Sequence, residues 1–201
     1  MSMQTIRQGS ALGKRHLTAA GGAEIPIPDA TRVIHLQFRR FAGCPFCNLH
    51  LRAFAERHDE IAAAGIREVV VFRSTAEQWQ RYHSEVPYDI VLDPHGRLYD
   101  EFGVGSGLRS VLHPRASLMA LPNAARSLFP MRLGLPAPGG RLNGFLGFPA
   151  DFLIATDGRV IACQYGIHAQ DGWPVDELLA LARRQPSSIT TPHPYKANTD
   201  E

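Results

Sequence analysis

The sequence predicts an α/β protein, a three-layer sandwich whose mixed central sheet is flanked by helices. Two observations carry the prediction. Between residues 31 and 92, strand-length runs rich in apolar and β-branched residues alternate with segments of helical period, an order that implies parallel strands joined by right-handed crossovers. Farther on, residues 151–155 and 159–165 flank Asp157-Gly158, a pair suited to a tight turn, so an antiparallel hairpin is expected to close the sheet.

Taken in order, residues 17–27 (LTAAGGAEIPI) set apolar stretches on either side of Gly21 and Gly22 and predict a small hairpin. TRVIHLQFRRF, residues 31–41, has the mostly apolar middle of a buried central strand and delivers the chain to Cys44. Cys47, Leu51, Phe54, Ala55, His58, Ile61 and Ala62 then recur at helical steps, with Arg52, Glu56, Arg57, Asp59 and Glu60 mostly off that stripe. One amphipathic helix is expected there, ended by Gly65. The next unit is a strand over 68–72, a helix through Gln78, Trp79 and Tyr82 capped by Ser74, and a strand over 88–92 closed by Asp93-Pro94. A last helix is expected from Val175 to Arg184, with Pro174 in its first turn.

A chain of 201 residues buries one sizeable core and does not require two, so a single domain is expected over residues 16–185. Residues 1–15 lack a periodic pattern and read as a flexible N-terminal segment, while 186–201 turn polar and proline-bearing and read as a disordered tail. Residues 104–150 are rich in Leu, Pro and Gly and carry Arg109, Arg115, Arg126, Arg132 and Arg141 with no Asp or Glu. They read as a basic, apolar insertion before the terminal hairpin. Leu108, Val111, Leu112, Ala116, Met119 and Ala120 suit one helical face, so part of the insertion is expected to be helix packed on the sheet or over the site. A solvated lid or a homodimer contact is the simplest role for it.

A net charge of +2 lacks the dense basic balance of a nucleic-acid binder. No segment has the unbroken apolar run of a signal peptide or a membrane span. Three cysteines are too sparse for a secreted disulfide framework, so a reducing, cytoplasmic setting is expected, and a close cysteine pair there points to chemistry or metal.

That pair is Cys44-Pro45-Phe46-Cys47, placed where a strand gives way to a helix. Two intervening residues bring the sulfurs close enough for an easily reduced disulfide, and a helix N-terminus stabilises a thiolate. Arg39, Arg40 and Arg52 are near in sequence, and no acidic residue lies between Asp29 and Glu56. Position alone puts Cys44 at the loop edge as the exposed nucleophile and Cys47, in the first turn, as the resolving thiol. An oxidant attacked by one sulfur leaves a sulfenic acid or a mixed disulfide that the other displaces, and an external thiol donor of thioredoxin or glutathione type must then reduce the pair. A zinc half-site is the rival reading, with Cys163, His35, His50 and His58 as further ligands, but the sequence has no second Cys-x-x-Cys and no paired-ligand motif. Neither metal nor cofactor is therefore expected.

FRRFAGCPFC, VVVFRSTAEQWQRY, DPHGRLYDEFGV and FPADFLIATDGRVIACQYG, taken together, resemble the peroxiredoxin-like branch of the alkyl hydroperoxide reductase and thiol-specific antioxidant (AhpC/TSA) family, within the thioredoxin superfamily. The resemblance covers roughly residues 16–185. It implies a thioredoxin-like fold and an antioxidant enzyme acting on peroxides or disulfides. Aligned with typical peroxiredoxins, Cys44 takes the position of a threonine and Cys47 that of the peroxide-attacking cysteine, so which sulfur attacks stays open. Pro149, three residues before Phe152, takes the place of a cis-proline lying against the dithiol, or of a peroxide-orienting arginine. With Pro45, Phe46 and Arg40 it makes the expected substrate-orienting set, and Cys-Pro-Phe-Cys is itself similar to the Cys-Pro-Tyr-Cys of glutaredoxins.

Arg40 reads either as a group that steadies the thiolate or as a solvated strand-end arginine. Cys163, Trp79 and Phe102 read as core, and His50 and His58 as packed or surface residues. Two further functions stay open: a disulfide reductase without peroxidase activity, and a non-enzymatic zinc-binding or redox-sensing module.

Overall fold

A computed structural model describes residues 5–82, 86–107 and 146–184. β1 (Arg15–Thr18) and β2 (Glu24–Ile27) form the small antiparallel hairpin, with Leu17, Ile25 and Ile27 turned inward. β3 (Val33–Arg39), β4 (Ile66–Phe72) and β5 (Asp89–Leu92) run parallel, linked by α1 (Pro45–Glu56), α2 (His58–Ala63) and α3 (Ala76–Tyr82). After α4 (Arg97–Glu101), β6 (Ala150–Ile154) pairs antiparallel with β3, and β7 (Val160–Tyr165) antiparallel with β6. α5 (Val175–Arg183) ends the described chain. The sheet order β5-β4-β3-β6-β7 puts β3 at the centre, as its apolar middle predicts.

The two faces of β3 are chemically different. Ile34, Leu36 and Phe38 join Val69, Val71, Phe152, Tyr99 and Phe102 in a wholly apolar core, covered by the β1–β2 hairpin and α4. His35, Gln37 and Arg39 point to the opposite face, under α1, α2 and α5, where Phe54, Ile61, Leu153, Trp173 and Leu178 supply apolar contact. Phe102 is fully buried, and Trp79 packs on Phe72 with ring centroids 5.4 Å apart.

Four local readings need correction. The single helix expected from Cys47 to Ala62 breaks at Arg57, whose N–H bonds to Phe54 O at 3.2 Å, tightening the turn and letting both Phe54 and Ile61 stay buried. Ser74 does not cap α3: it is buried and its hydroxyl accepts the Ala42 N–H at 2.9 Å. Thr75 caps instead, with Thr75 Oγ1 accepting Gln78 N–H at 3.2 Å and Gln78 Oε1 accepting Thr75 N–H at 3.0 Å. The peptide before Pro149 is trans, and the cis peptide among the described residues is Ile27–Pro28. Finally, residues 9–12, which have no partner legible in sequence, run along β7 through Gly9 N–H to Val160 O (2.8 Å) and Leu12 N–H to Gly158 O (2.9 Å).

The ends of the expected insertion meet: Gly107 N–H donates to Leu146 O at 2.9 Å and Phe148 N–H to Gly105 O at 3.1 Å. Its predicted helix, and the tail from residue 186, lie outside the described residues.

Asp29 ties the hairpin to the sheet. Its carboxylate accepts Thr31 N–H (2.9 Å), Thr31 Oγ1 (2.8 Å) and Arg67 Nη1 (3.1 Å) from β4. Burial raises its pKa, but the Thr31, Arg67 and Arg32 hydrogen bonds outweigh that and bring it down to about 2. Because the folded value is depressed, this contribution is complete above the unfolded value near 4 and is lost as pH falls towards 2. Asp29→Asn should cost about 1–2 kcal/mol at pH 6 and flatten the loss of stability between pH 4 and 2, read by urea denaturation. An equally steep acid transition in the variant would refute this.

Candidate active site

β3 ends at Arg39, and the chain turns through residues 40–43 into α1. Three anchors hold that turn: Arg73 N–H to Arg40 O (3.3 Å), Ser74 Oγ under Ala42, and Cys44 N–H to Phe41 O (3.0 Å). Tyr99 adds a fourth, sharing its hydroxyl proton between the Arg39 carbonyl and the Val71 carbonyl, the latter at 2.9 Å. Cys44 is the N-cap of α1 and Pro45 opens the helix, where its missing N–H costs nothing. The Cys47 N–H points back at Cys44 Sγ at 3.5 Å, in the usual geometry of a cap with sulfur in place of oxygen.

Both sulfurs are out of water, with Cys44 0% and Cys47 2% exposed, so the exposed nucleophile expected at Cys44 is not what the fold builds. No disulfide joins them in this state. Arg40 is not solvated: it is 2% exposed and brings Nη1 to 3.6 Å from Cys44 Sγ. Arg52 is exposed and pairs with Glu56 at 3.1 Å. Phe46 packs with Phe41, Leu51, Val70 and Phe72 around the dithiol. Pro149 is buried just before β6, beside the end of β3 because Phe38 pairs with Ala150, and its carbonyl accepts the Gly166 N–H at 2.9 Å.

Two sulfurs this close cannot both ionise in a buried site. Burial opposes ionisation of Cys47, but the Cys44 thiol donating to it, the Arg40 charge and backbone, and the Arg39 charge outweigh that and lower it to about 6. Cys44 goes the other way, pushed well up by burial and by its neighbour's hydrogen bond and negative charge. The arrangement therefore carries one anionic and one protonated sulfur at neutral pH.

Sequence reasoning missed the polar cluster on the same sheet face. Asp151 from β6 is fully buried and accepts from Arg39 Nη2 at 2.6 Å and Nη1 at 3.3 Å, a forked pair. Arg39 Nη2 also reaches Gln37 Oε1 and His50 Nε2, each at 2.7 Å, and His35 Nε2 lies 3.1 Å from Asp151 Oδ1. His58 pairs with buried Glu68 at 2.9 Å. The histidines considered as zinc ligands are thus spent on this network, and among the described residues no three His, Cys, Asp or Glu side chains converge on a metal position. Cys163 sits on β7, its thiol 3.6 Å from Ile6 O, and burial raises its pKa.

Rapid alkylation of the reduced protein should titrate one thiol with a midpoint near 6, by far the more reactive of the pair. Arg40→Met should move that midpoint up towards the ordinary thiol value of about 8.5. A single midpoint near 8.5 in the unaltered protein would contradict the electrostatics of the site.

Among curated proteins none matches the chain in sequence. Solved structures match in fold. The peroxidoxin BcpB of Mycobacterium tuberculosis superposes with a TM-score of 0.61 at 17% identity, over 90% of this chain and 99% of that one. Peroxiredoxin 6 of Arenicola marina gives 0.62 at 12% identity, over 89% and 72%. A putative thiol:disulfide interchange protein DsbE from Chlorobium tepidum gives 0.55 at 17% identity, over 89% and 99%. These likenesses establish a thioredoxin-like fold, and the AhpC/TSA family profile matches residues 15–163, a span that contains β1–β6, most of β7 and both sulfurs of the buried pair. The chain belongs to the AhpC/TSA family.

Proposed function

We propose that the chain is a thiol-dependent antioxidant oxidoreductase that reduces peroxides through a dithiol/disulfide cycle of Cys44 and Cys47. The carrying observation is the division of charge between the two sulfurs, with Cys47 lowered to about 6 and Cys44 held protonated beside it. In the first step Cys47 thiolate attacks the distal oxygen of a peroxide, the O–O bond breaks, and the leaving alkoxide or hydroxide takes a proton. Cys47 is then a sulfenic acid. Cys44 displaces its oxygen as water, which takes up the Cys44 proton, and the Cys44–Cys47 disulfide forms.

Two electrons from a thioredoxin- or glutathione-type donor return both thiols, in the reducing conditions of a cytoplasm. Arg40 is the nearest charge to the reacting pair, Pro45 and Phe46 set the sulfur spacing, and buried Pro149 borders the end of β3. A homodimer is compatible with this cycle, which needs only one chain's sulfurs. Burial of both thiols favours a small oxidant over a bulky protein disulfide.

A second reading, a disulfide reductase without peroxidase activity, is favoured by the other side of the geometry. Cys44 Sγ accepts from the Cys47 N–H and from Arg40 Nη1, contacts that would support a thiolate at Cys44 once the pair is opened.

Stopped-flow mixing separates the two. Cys44→Ser should react with hydrogen peroxide and accumulate a sulfenic acid on Cys47 that dimedone traps, whereas Cys47→Ser should lose at least about 100-fold in rate. Reaction of the reduced protein at the rate of free cysteine, with thiol-dependent reduction of insulin disulfides intact, would decide for the second reading.

A further inference from the structure

The dithiol is not the only charged group buried on the α1 face of the sheet. Register explains how the others meet: Gln37 pairs with Asp151 on one side and Val70 on the other, and Arg39 with Phe72. Arg39 therefore stands on the same face as Val70 and Phe72, which pack around Cys47, while Asp151 lies opposite Gln37, two residues back on the adjoining strand. His50 is three residues beyond Cys47 on α1, one helical turn along the same side. Its ring packs at a tilt against Phe54, 4.7 Å between centroids, and its Nε2 receives an Arg39 N–H.

A buried ion pair is costly to maintain and contributes little stability compared with apolar side chains of the same volume. Here the expense is compounded. Arg39 is 2% exposed and Asp151 0%, Arg39 Nε and His35 Nδ1 have no hydrogen-bond partner among the described residues, and the surrounding loop is shaped to the pair. Gly172 closes over it: a β-carbon there would lie 3.0 Å from Asp151 Oδ2, 3.2 Å from Arg39 Nη1 and 3.3 Å from His50 Cε1. The next residue, Trp173, donates its N–H to Asp151 Oδ2 at 3.3 Å.

We infer that Arg39 and Asp151 are a positioning pair for the dithiol: the guanidinium favours the anionic sulfur of Cys47, and the carboxylate limits how far it does so. The inference rests on Cys47 as the thiolate, as proposed above. The charged and titratable groups around Cys47 come from several elements. Arg40 and Arg39 approach from β3 and its end, Cys44 from the helix cap, and Tyr99 from α4, its pKa raised by burial. β4 contributes Val70 and Phe72, with Glu68 two residues back on the same face paired to His58 and its pKa raised by burial, and Tyr88, packed against the same cluster, also has its pKa raised by burial. Behind Arg39 stand Asp151, His35, Gln37 and His50, and burial followed by the Arg39 charge keeps His50 well below the usual histidine pKa, hence neutral. Among the described residues Asp151 is the carboxylate paired with Arg39, and burial, which would raise its pKa, is outweighed by Arg39 and then His35, so it stays ionised.

Opposite signs make the test. In the reduced full-length protein, Arg39→Met should raise the pH midpoint of Cys47 alkylation, slowing the reaction at pH 6 roughly three- to tenfold. Arg39→Lys should hold the midpoint nearer the unaltered protein. Asp151→Asn frees the Arg39 charge and should lower the midpoint, and the double variant Arg39→Met/Asp151→Asn should return it towards the starting value. A merely structural pair would shift both single variants the same way or neither, and either outcome overturns the inference. Should the variants not fold, the unaltered protein still decides: oxidising the dithiol must shift the ring resonances of His50 and His35, and unmoved rings overturn it. A protein with these shifts but inert to every oxidant would sink the proposed function and leave this inference standing.

Discussion

Holding two adjacent sulfurs where water is absent is the constraint on which this molecule depends. A buried thiolate is expensive unless positive charge and hydrogen-bond donors are already in place. The end of β3 and the start of α1 provide both: the Arg40 and Arg39 charges, the Arg40 backbone N–H and the Cys44 thiol all favour the anionic form of Cys47. Each of these is rigid because the turn between them is tied to β4 through Ser74 and Arg73 and to α4 through Tyr99. Pre-organisation of this kind lowers the reorganisation needed when charge moves during reaction.

The sheet serves that end unequally. Its hairpin-covered face is a conventional apolar core, with Phe38, Phe102 and Phe152 in edge-on and tilted contacts, and it supplies most of the drive to fold. On the helix-covered face three successive inward positions of the central strand are His35, Gln37 and Arg39, an arrangement that only satisfied polar partners make tolerable. Asp151 from β6, Glu68 from β4 and His50 from α1 are those partners, and His58 from α2 in turn holds Glu68. Stability and chemistry are thus assigned to opposite sides of one strand.

Membership of the AhpC/TSA family and a thioredoxin-like architecture go together here with two cysteines spaced by two residues at a helix start. A sulfur takes the cap position, where it accepts the Cys47 N–H, so the two cysteines are held together by the first turn of α1. Trans geometry before Pro149 and the backbone bond from Gly166 to its carbonyl give this edge of the site a shape of its own.

Periodicity, turn chemistry and the position of Cys-Pro-Phe-Cys after a buried run sufficed to read the α/β class, the parallel β3-β4-β5 order, the closing β6–β7 hairpin and the placement of the two cysteines at a helix start, because all are local properties of short segments. Local pattern was less reliable at Arg57 and Ser74, where burial of Ile61 and a bond to Ala42 overrode helix periodicity and capping preference. What tertiary structure alone decided is the electrical setting. Cys44 looked exposed from its place at a loop edge, and it is buried because β4 and the apolar side chains around it close over the loop. Asp151 reaches Arg39 across 112 residues of sequence, through strand register that no local window contains. A sequence names its ionisable groups; only packing, by setting which of them lose water and which charges they face, determines where the proton resides.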